Sequence, residues 1–320
     1  MTPFAYHRAA TLDDALARLA APGHVAIGGG TDLLVTIEEG LANPAMVVDV
    51  RTLPESLGVT TTDGDVRIGA SVRLADVAAH ELVRARYPAL ALACDQVGTP
   101  AIREMATLGG NLCQRPRCWY FRRNIPCLKN GGDSCPARDG ENQHLAILEG
   151  GPCYIVHPSD PAVALVALDA TIEIVGAGGR REVAAGDFFV LPRERMERET
   201  VLLDGELVIG VRLPAEAAGG VQRYVKLMQR EAWDFALVSL AAVRRADGDV
   251  RLVLGGVSPR PYRIYTSVEE EAMSGGLDEE TIAALAERAL LDAVPLSKNG
   301  YKLELAASLL RDAIRDLAVG

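Results

Sequence analysis

The stretch 109–153 constrains this chain more than any other. It holds seven glycines, four prolines and five cysteines and shows little apolar periodicity. Fixing each backbone residue costs about 1–2 kcal/mol. A loop this long inside a compact fold therefore needs an ordering force beyond a hydrophobic core. Metal–thiolate bonds can supply it, because metal binding and folding are coupled. The chain has six cysteines, Cys94, Cys113, Cys118, Cys127, Cys135 and Cys153, and none after residue 153. A secreted disulfide framework would be spread along a short chain, so the crowding points to metal binding or redox chemistry. Cys118, Cys127, Cys135 and Cys153 are separated by eight, seven and seventeen residues. They form neither the C-x-x-C knuckle of zinc sites nor the bacterial ferredoxin spacing. Chemistry alone leaves zinc, an iron–sulfur cluster and unligated loop cysteines open. Cys94 lies on an apolar helical stretch and is expected in the core. Arg115, Arg117, Arg122, Arg123 and Lys129 surround the first two cysteines. They read as a solvated basic patch, as charges offsetting thiolates, or as a docking surface.

A second signal is AIGGGTDLL at 26–34, three glycines between a strand and a helix. Glycine permits positive φ and close backbone approach, and a helix start offers free N–H groups to a phosphate. A tight structural turn explains the glycines equally well. A Rossmann site is a weaker reading: Gly28, Gly30 and the downstream Asp49 fit, but Leu33 stands at the third glycine position. A nucleoside-triphosphate loop is excluded, since no Gly-Lys-Ser/Thr follows.

Around these signals the pattern is mixed helix and strand. Helices are expected at 11–20, with Thr11 and Asp14 as a capping pair, and at 33–39, 74–95, 162–170, 267–274, 279–292 and 302–318. Strands are expected at 24–28, 45–50, 63–70, 171–176, 206–214 and in three runs after residue 221. AEAAGG at 215–220 reads as a linker. Length suggests two or three domains. A formal charge of −10 argues against nucleic-acid or anionic-membrane binding. No apolar run approaches the ~20 residues needed to span a bilayer, and no signal peptide is visible. A cytoplasmic location is expected, periplasmic only by export with a signal-bearing partner.

GGGTDL and TLGGNL (107–112) together resemble the two flavin-holding segments of the p-cresol methylhydroxylase/vanillyl-alcohol oxidase type of FAD domain. More narrowly, nearly the whole chain resembles the medium, flavin-binding subunit of molybdenum hydroxylases. The resemblance implies an α+β fold, a two-part FAD domain at 1–217, then a small domain of three-stranded sheet plus helices at 221–320. It assigns FAD contacts to Ala26, Ile27, Gly28, Gly29, Gly30, Thr31, Asp32, Leu33 and Leu34, and to Thr107, Gly109, Gly110 and Asn111. HPSDPAVAL (157–165) adds Asp160, and YVKLMQREAWDFALV (224–238) adds Lys226. The segment at about 113–155 resembles the insertion of two relatives, the flavin subunits of 4-hydroxybenzoyl-CoA reductase and of bacterial aldehyde oxidoreductase. There it implies a 4Fe–4S cluster on Cys118, Cys127, Cys135 and Cys153, with Cys113 a neighbour of the flavin.

No G-x-S-x-G elbow or H-E-x-x-H is present, and no catalytic residue is assigned. The five histidines are scattered, and His157 reads as a packed residue. Glu269–Glu271 reads as a solvated helix face, and Trp119 and Trp233 as core residues or cofactor covers. The expected function is electron transfer among FAD, iron–sulfur clusters and an external acceptor or donor. By resemblance the partners are a large molybdopterin subunit and a small subunit with 2Fe–2S clusters. The alternatives are a stand-alone FAD oxidase of a small alcohol and a zinc-stabilised scaffold.

Overall fold

The computed structural model describes residues 3–230, 233–274 and 276–319. The chain opens with β1 (Ala5–Arg8), α1 (Leu12–Leu19), β2 (His24–Ile27), α2 (Leu33–Glu38) and β3 (Met46–Asp49). Thr11 Oγ1 caps α1 by accepting from the Asp14 N–H at 3.2 Å. The three strands form a parallel sheet in the order β1-β3-β2. Asp49, at the end of β3, is fully buried and bound by Tyr6 and Arg51. It is thus taken by its own lobe, which removes the acidic residue a Rossmann reading needs.

A second lobe follows with β4 (Val59–Thr62), β5 (Asp65–Gly69) and three short helices, α3 (Leu74–Ala79), α4 (Glu81–Arg86) and α5 (Pro88–Asp95). The single helix expected over 74–95 is broken at His80 and at Tyr87, where extended ψ and the following Pro88 end the run. Next come α6 (Pro100–Arg103), α7 (Leu108–Leu112), α8 (Trp119–Arg122), α9 (Asp160–Ala167), β6 (Thr171–Gly176), β7 (Gly179–Ala184), α10 (Ala185–Phe188) and β8 (Leu207–Leu213). The sheet runs β4-β5-β8-β6-β7, antiparallel throughout.

The remaining residues form β9 (Val221–Leu227), β10 (Val238–Arg244), β11 (Val250–Gly255), β12 (Tyr262–Arg263), α11 (Thr266–Ala272), α12 (Glu279–Arg288) and α13 (Tyr301–Val319). The sheet has four strands, one more than expected, because the two-residue β12 adds to β11. The mixed α+β architecture is otherwise as expected. Glu269 departs from its reading as a solvated residue: it is buried, and it accepts from the Leu252 N–H at 2.8 Å and from Arg263 at 2.7 Å.

All eight residues of α9 are buried. It packs on α5 on one side and on β10 and β11 on the other. The N-terminus of α9 therefore lies where the first two lobes meet the C-terminal sheet.

Candidate flavin and cysteine site

The glycine turn and the second flavin segment are locked together. A Cβ on Gly29 would stand 1.8 Å from the Met105 carbonyl oxygen, and one on Gly28 would stand 2.4 Å from Thr107 Oγ1. At Gly29 the backbone leaves no room for a side chain, whereas at Gly28 one would displace the Thr107 hydroxyl, so close packing alone accounts for both glycines. Thr107 caps α7 by accepting from the Gly110 N–H. Asn111, buried in α7, receives the Ser159 hydroxyl at 2.6 Å. Ser159 caps α9, and Asp160 follows it. Asp160 accepts from Lys226 Nζ at 2.8 Å and from the Tyr224 hydroxyl at 2.7 Å. Lys226 also donates to the Gln96 carbonyl at 2.9 Å. The four segments expected to hold flavin thus form one connected chain of contacts. Burial raises the Asp160 pKa, and Lys226 and Tyr224 oppose it.

A cavity of about 270 Å³ opens beside Asp160. Its walls include Cys118 and Trp119, then His157 and Ser159, and Phe235 and Ser239 of the C-terminal domain. The glycine turn does not line it, nor does Lys226. Trp119 is 52% exposed and Trp233 65%, so neither is core. His157 is buried with its ring edge-on to Phe189. Burial holds its pKa at about 3, so the ring is neutral. Its Nδ1 accepts from the Ser159 N–H at 3.4 Å, which places the proton on Nε2. That Nε2 and the Ser239 hydroxyl are buried without a hydrogen-bond partner. Neither atom is open to the cavity: the Leu112 backbone lies beside the His157 ring and the Tyr224 hydroxyl beside Ser239. His157, expected only to pack, also borders the site; no local signal in the sequence marks it or Ser239.

Asp32 faces the insertion. It accepts from the Arg115 N–H at 2.7 Å and pairs with Arg122 at 2.7 Å and with Arg117. Burial would raise its pKa, but the two guanidiniums outweigh it and hold the carboxyl below its usual value. Arg115 and Lys129 pair with the buried Glu199 at 2.7 and 2.8 Å. Arg115, Arg117, Arg122 and Lys129 are thus struts tying the insertion to the FAD-type lobes, whereas Arg123 is exposed.

The insertion is ordered by more than its cysteines, contrary to the sequence expectation. Phe121 and the run Leu145–Leu148 are buried. Asn142, fully buried, bonds Ser297 and the Lys298 N–H. Asn299 donates to the Leu145 and Ala146 carbonyls, and Tyr301 to that of Gln143. Residues 297–302 of the C-terminal domain clasp 141–146 on successive residues.

Cys118 lies near enough to Cys135 and Cys127 to feel their charge, and Cys153 near enough to feel Cys135 and Cys118. Cys113 and Cys94 feel none of the four. Burial pushes up the thiol pKa values of Cys118 and of Cys153, the latter to about 12. Among the described residues, no three His, Cys, Asp or Glu side chains are placed to hold a metal ion, and no helix is long and apolar enough to cross a membrane.

Comparison with known proteins agrees with this geometry. Residues 2–216 match the FAD binding domain in molybdopterin dehydrogenase, and residues 223–317 match the CO dehydrogenase flavoprotein C-terminal domain. The aldehyde oxidoreductase FAD-binding subunit PaoB of Escherichia coli (strain K12) is 37% identical over 99% of this chain and 98% of its own. The carbon monoxide dehydrogenase medium chain of Hydrogenophaga pseudoflava is 25% identical over 97% of this chain and 96% of its own. The solved structure of quinoline 2-oxidoreductase from Pseudomonas putida 86 shares the fold, with a TM-score of 0.76 over 100% of this chain and 99% of that one, at 24% identity. With its FAD-type lobes, its C-terminal sheet and these matches across both, the chain belongs to the molybdenum hydroxylase/xanthine dehydrogenase family as an FAD-binding medium subunit, part of an oxidoreductase.

Proposed function

We propose that this chain is the electron-transferring flavin subunit of an aldehyde oxidoreductase-like complex and that it holds both FAD and a 4Fe–4S cluster. Its partners on this reading are a large molybdopterin subunit, a small 2Fe–2S subunit and an external electron acceptor or donor. Residues 1–217 are the FAD-binding unit and 221–320 the C-terminal one. The observation that carries the reading is the cavity beside Asp160, which is lined by Ser159 and Asp160 on one side and Cys118 on another. Its wall brings Asp160 and Ser159 together with the apolar Trp119 and Phe235, which suits a flat, partly polar ring.

We assign the diphosphate to the 26–34 turn and to Thr107, Gly109, Gly110 and Asn111, and the ring end to the neighbourhood of Asp160 and Lys226. When bound, FAD accepts two electrons together and passes them on singly. The chain's own residues hold the ring in place. Asp160 is fixed by Lys226 and Tyr224, and Trp119 and Phe235 bring apolar area. Cys118, Cys127, Cys135 and Cys153 are the proposed cluster ligands. Cys118 is coupled to Cys127 and Cys135, and Cys153 to Cys118 and Cys135, whereas Cys94 and Cys113 are coupled to none of them. The family's multi-subunit partners weigh against a stand-alone alcohol oxidase.

Anaerobic purification tests the reading. The native chain should carry flavin absorbance and about four irons and four sulfides per chain. Cys118→Ser, Cys127→Ser, Cys135→Ser and Cys153→Ser should each deplete the iron, whereas Cys94→Ser and Cys113→Ser should spare it. Stoichiometric zinc without iron or acid-labile sulfide would sink the cluster and leave the flavin assignment standing.

A further inference from the structure

The chain contains four lysines. Lys129 pairs with Glu199 and Lys226 with Asp160, each at 2.8 Å, and Lys298 pairs with Glu141. Lys302 is the exception. It stands in the first turn of α13, fully buried, and its ammonium meets only carbonyls: that of His144 at 3.1 Å and that of Gly256 at 2.6 Å. No carboxylate among the described residues pairs with it, and burial alone lowers its pKa to about 7. A buried ammonium without a counter-ion is costly, so a negative charge placed nearby would favour the charged form of Lys302 and be favoured by it in return.

The surroundings indicate where such a charge would lie. His144 and Gly256, whose carbonyls Lys302 holds, both line the cavity beside Asp160. The His144 imidazole is held below its usual pKa by burial and by Lys302, against Asp234. The two carboxylates on the cavity wall are already engaged, Asp160 by Lys226 and Tyr224, and Asp234 by Arg230. The ammonium therefore sits one carbonyl behind a cavity that supplies it no free negative charge.

We propose that Lys302 is the buried counter-charge for a negative charge acquired by the ligand in this cavity, which on the reading above is the flavin ring when it is reduced. A ring that takes up two electrons and one proton bears one more negative charge than before. A fixed ammonium in a low-dielectric wall favours that form over the oxidised one and raises the flavin potential. Lys302 acts through the wall it holds, so it is a positioning residue and touches no reacting atom.

Lys302→Gln keeps a donor for the two carbonyls and removes the charge; Lys302→Met removes both. Each full-length variant is loaded with FAD and titrated with dithionite against a reference dye. Both should lose about tenfold or more of the preference for reduced over oxidised flavin, a fall of about 30 mV per factor of ten for a two-electron couple. A native potential in Lys302→Gln, or a shift in Lys302→Met alone, overturns the proposal and leaves Lys302 a hydrogen-bonding clamp. Where a variant does not retain FAD, the affinities for added oxidised and reduced FAD give the same comparison. A larger loss for the reduced form supports the counter-charge, and equal losses overturn it. A wild-type chain that binds no FAD would sink the flavin reading itself, a separate outcome visible in the absorbance before any titration.

Discussion

Replacing Lys226 by methionine isolates the buried pair at the head of α9. The Lys226 and Asp160 side chains are 1% and 6% exposed and meet at 2.8 Å. Removing the lysine leaves Asp160 with the Tyr224 hydroxyl as its remaining side-chain donor. Breaking a buried pair from one side costs about 3–5 kcal/mol, because the surviving charge has no compensation. For a chain of 320 residues that is a fall in Tm of roughly 4–8 °C. Asp160→Asn should cost a similar amount, since Lys226 would keep only the Gln96 carbonyl. The double variant removes both charges and should be about as stable as either single one, far from their sum. The pH dependence has a definite sign. Burial raises the folded Asp160 pKa, and losing Lys226 raises it further. The folded state then binds a proton that the unfolded state has lost, so stability falls as pH rises through that window. The deficit of Lys226→Met should be smaller at pH 5 than at pH 8. Urea unfolding of the flavin-free chain at both values, with flavin content measured alongside, reads all of this. Additive single effects would refute the reasoning, as would a deficit independent of pH.

Asp32→Asn should cost about 1.5–3 kcal/mol, since Asp32 accepts charged donors from Arg117 and Arg122. The native Asp32 pKa is depressed, so its contribution is present above about pH 4 and lost as pH falls through the folded value; the variant's acid-unfolding curve should be correspondingly flatter. Asn299→Ala removes donors from two buried carbonyls, each costing about 1–3 kcal/mol when orphaned. It should raise hydrogen exchange across 141–146 while leaving the parallel sheet β1-β3-β2 unchanged, and uniform acceleration over the whole chain would contradict the clasp.

Local pattern carried much of this fold. The alternation of β6, the continuous apolar runs of β8 and β10, and the 3.6-residue period of helices such as α12 and α13 are properties of neighbouring residues. The strands missed, β1, β4, β7 and β12, are short or polar edge elements whose existence depends on what they pair with. Glu269 looked like a solvated charge because its partner Arg263 and the Leu252 N–H belong to other elements. For the candidate site, the glycines and cysteines were visible as residue types, but the reason for Gly29 is the Met105 carbonyl, which no spacing announces. The arginines around Cys118 could not be told from a solvated patch until Asp32 and Glu199 were placed opposite them. Lys302 gave no signal at all, since an unpaired charge is defined by what fails to surround it.

The burial of α9 on every side makes the division of this sequence into two family segments a poor guide to where it can be cut. One continuous apolar core holds α5, α9 and β6 together with Tyr224, Ala241, Val243 and Val253 of the C-terminal sheet. A chain severed at 215–220 would give an N-terminal fragment with one flank of its central helix wet and a C-terminal fragment with the matching sheet face bare. Neither could shield its exposed hydrocarbon except by finding the other. The two halves are recognisable modules to a reader of sequences, yet for the folding polymer they are a single cooperative unit whose parts must condense together.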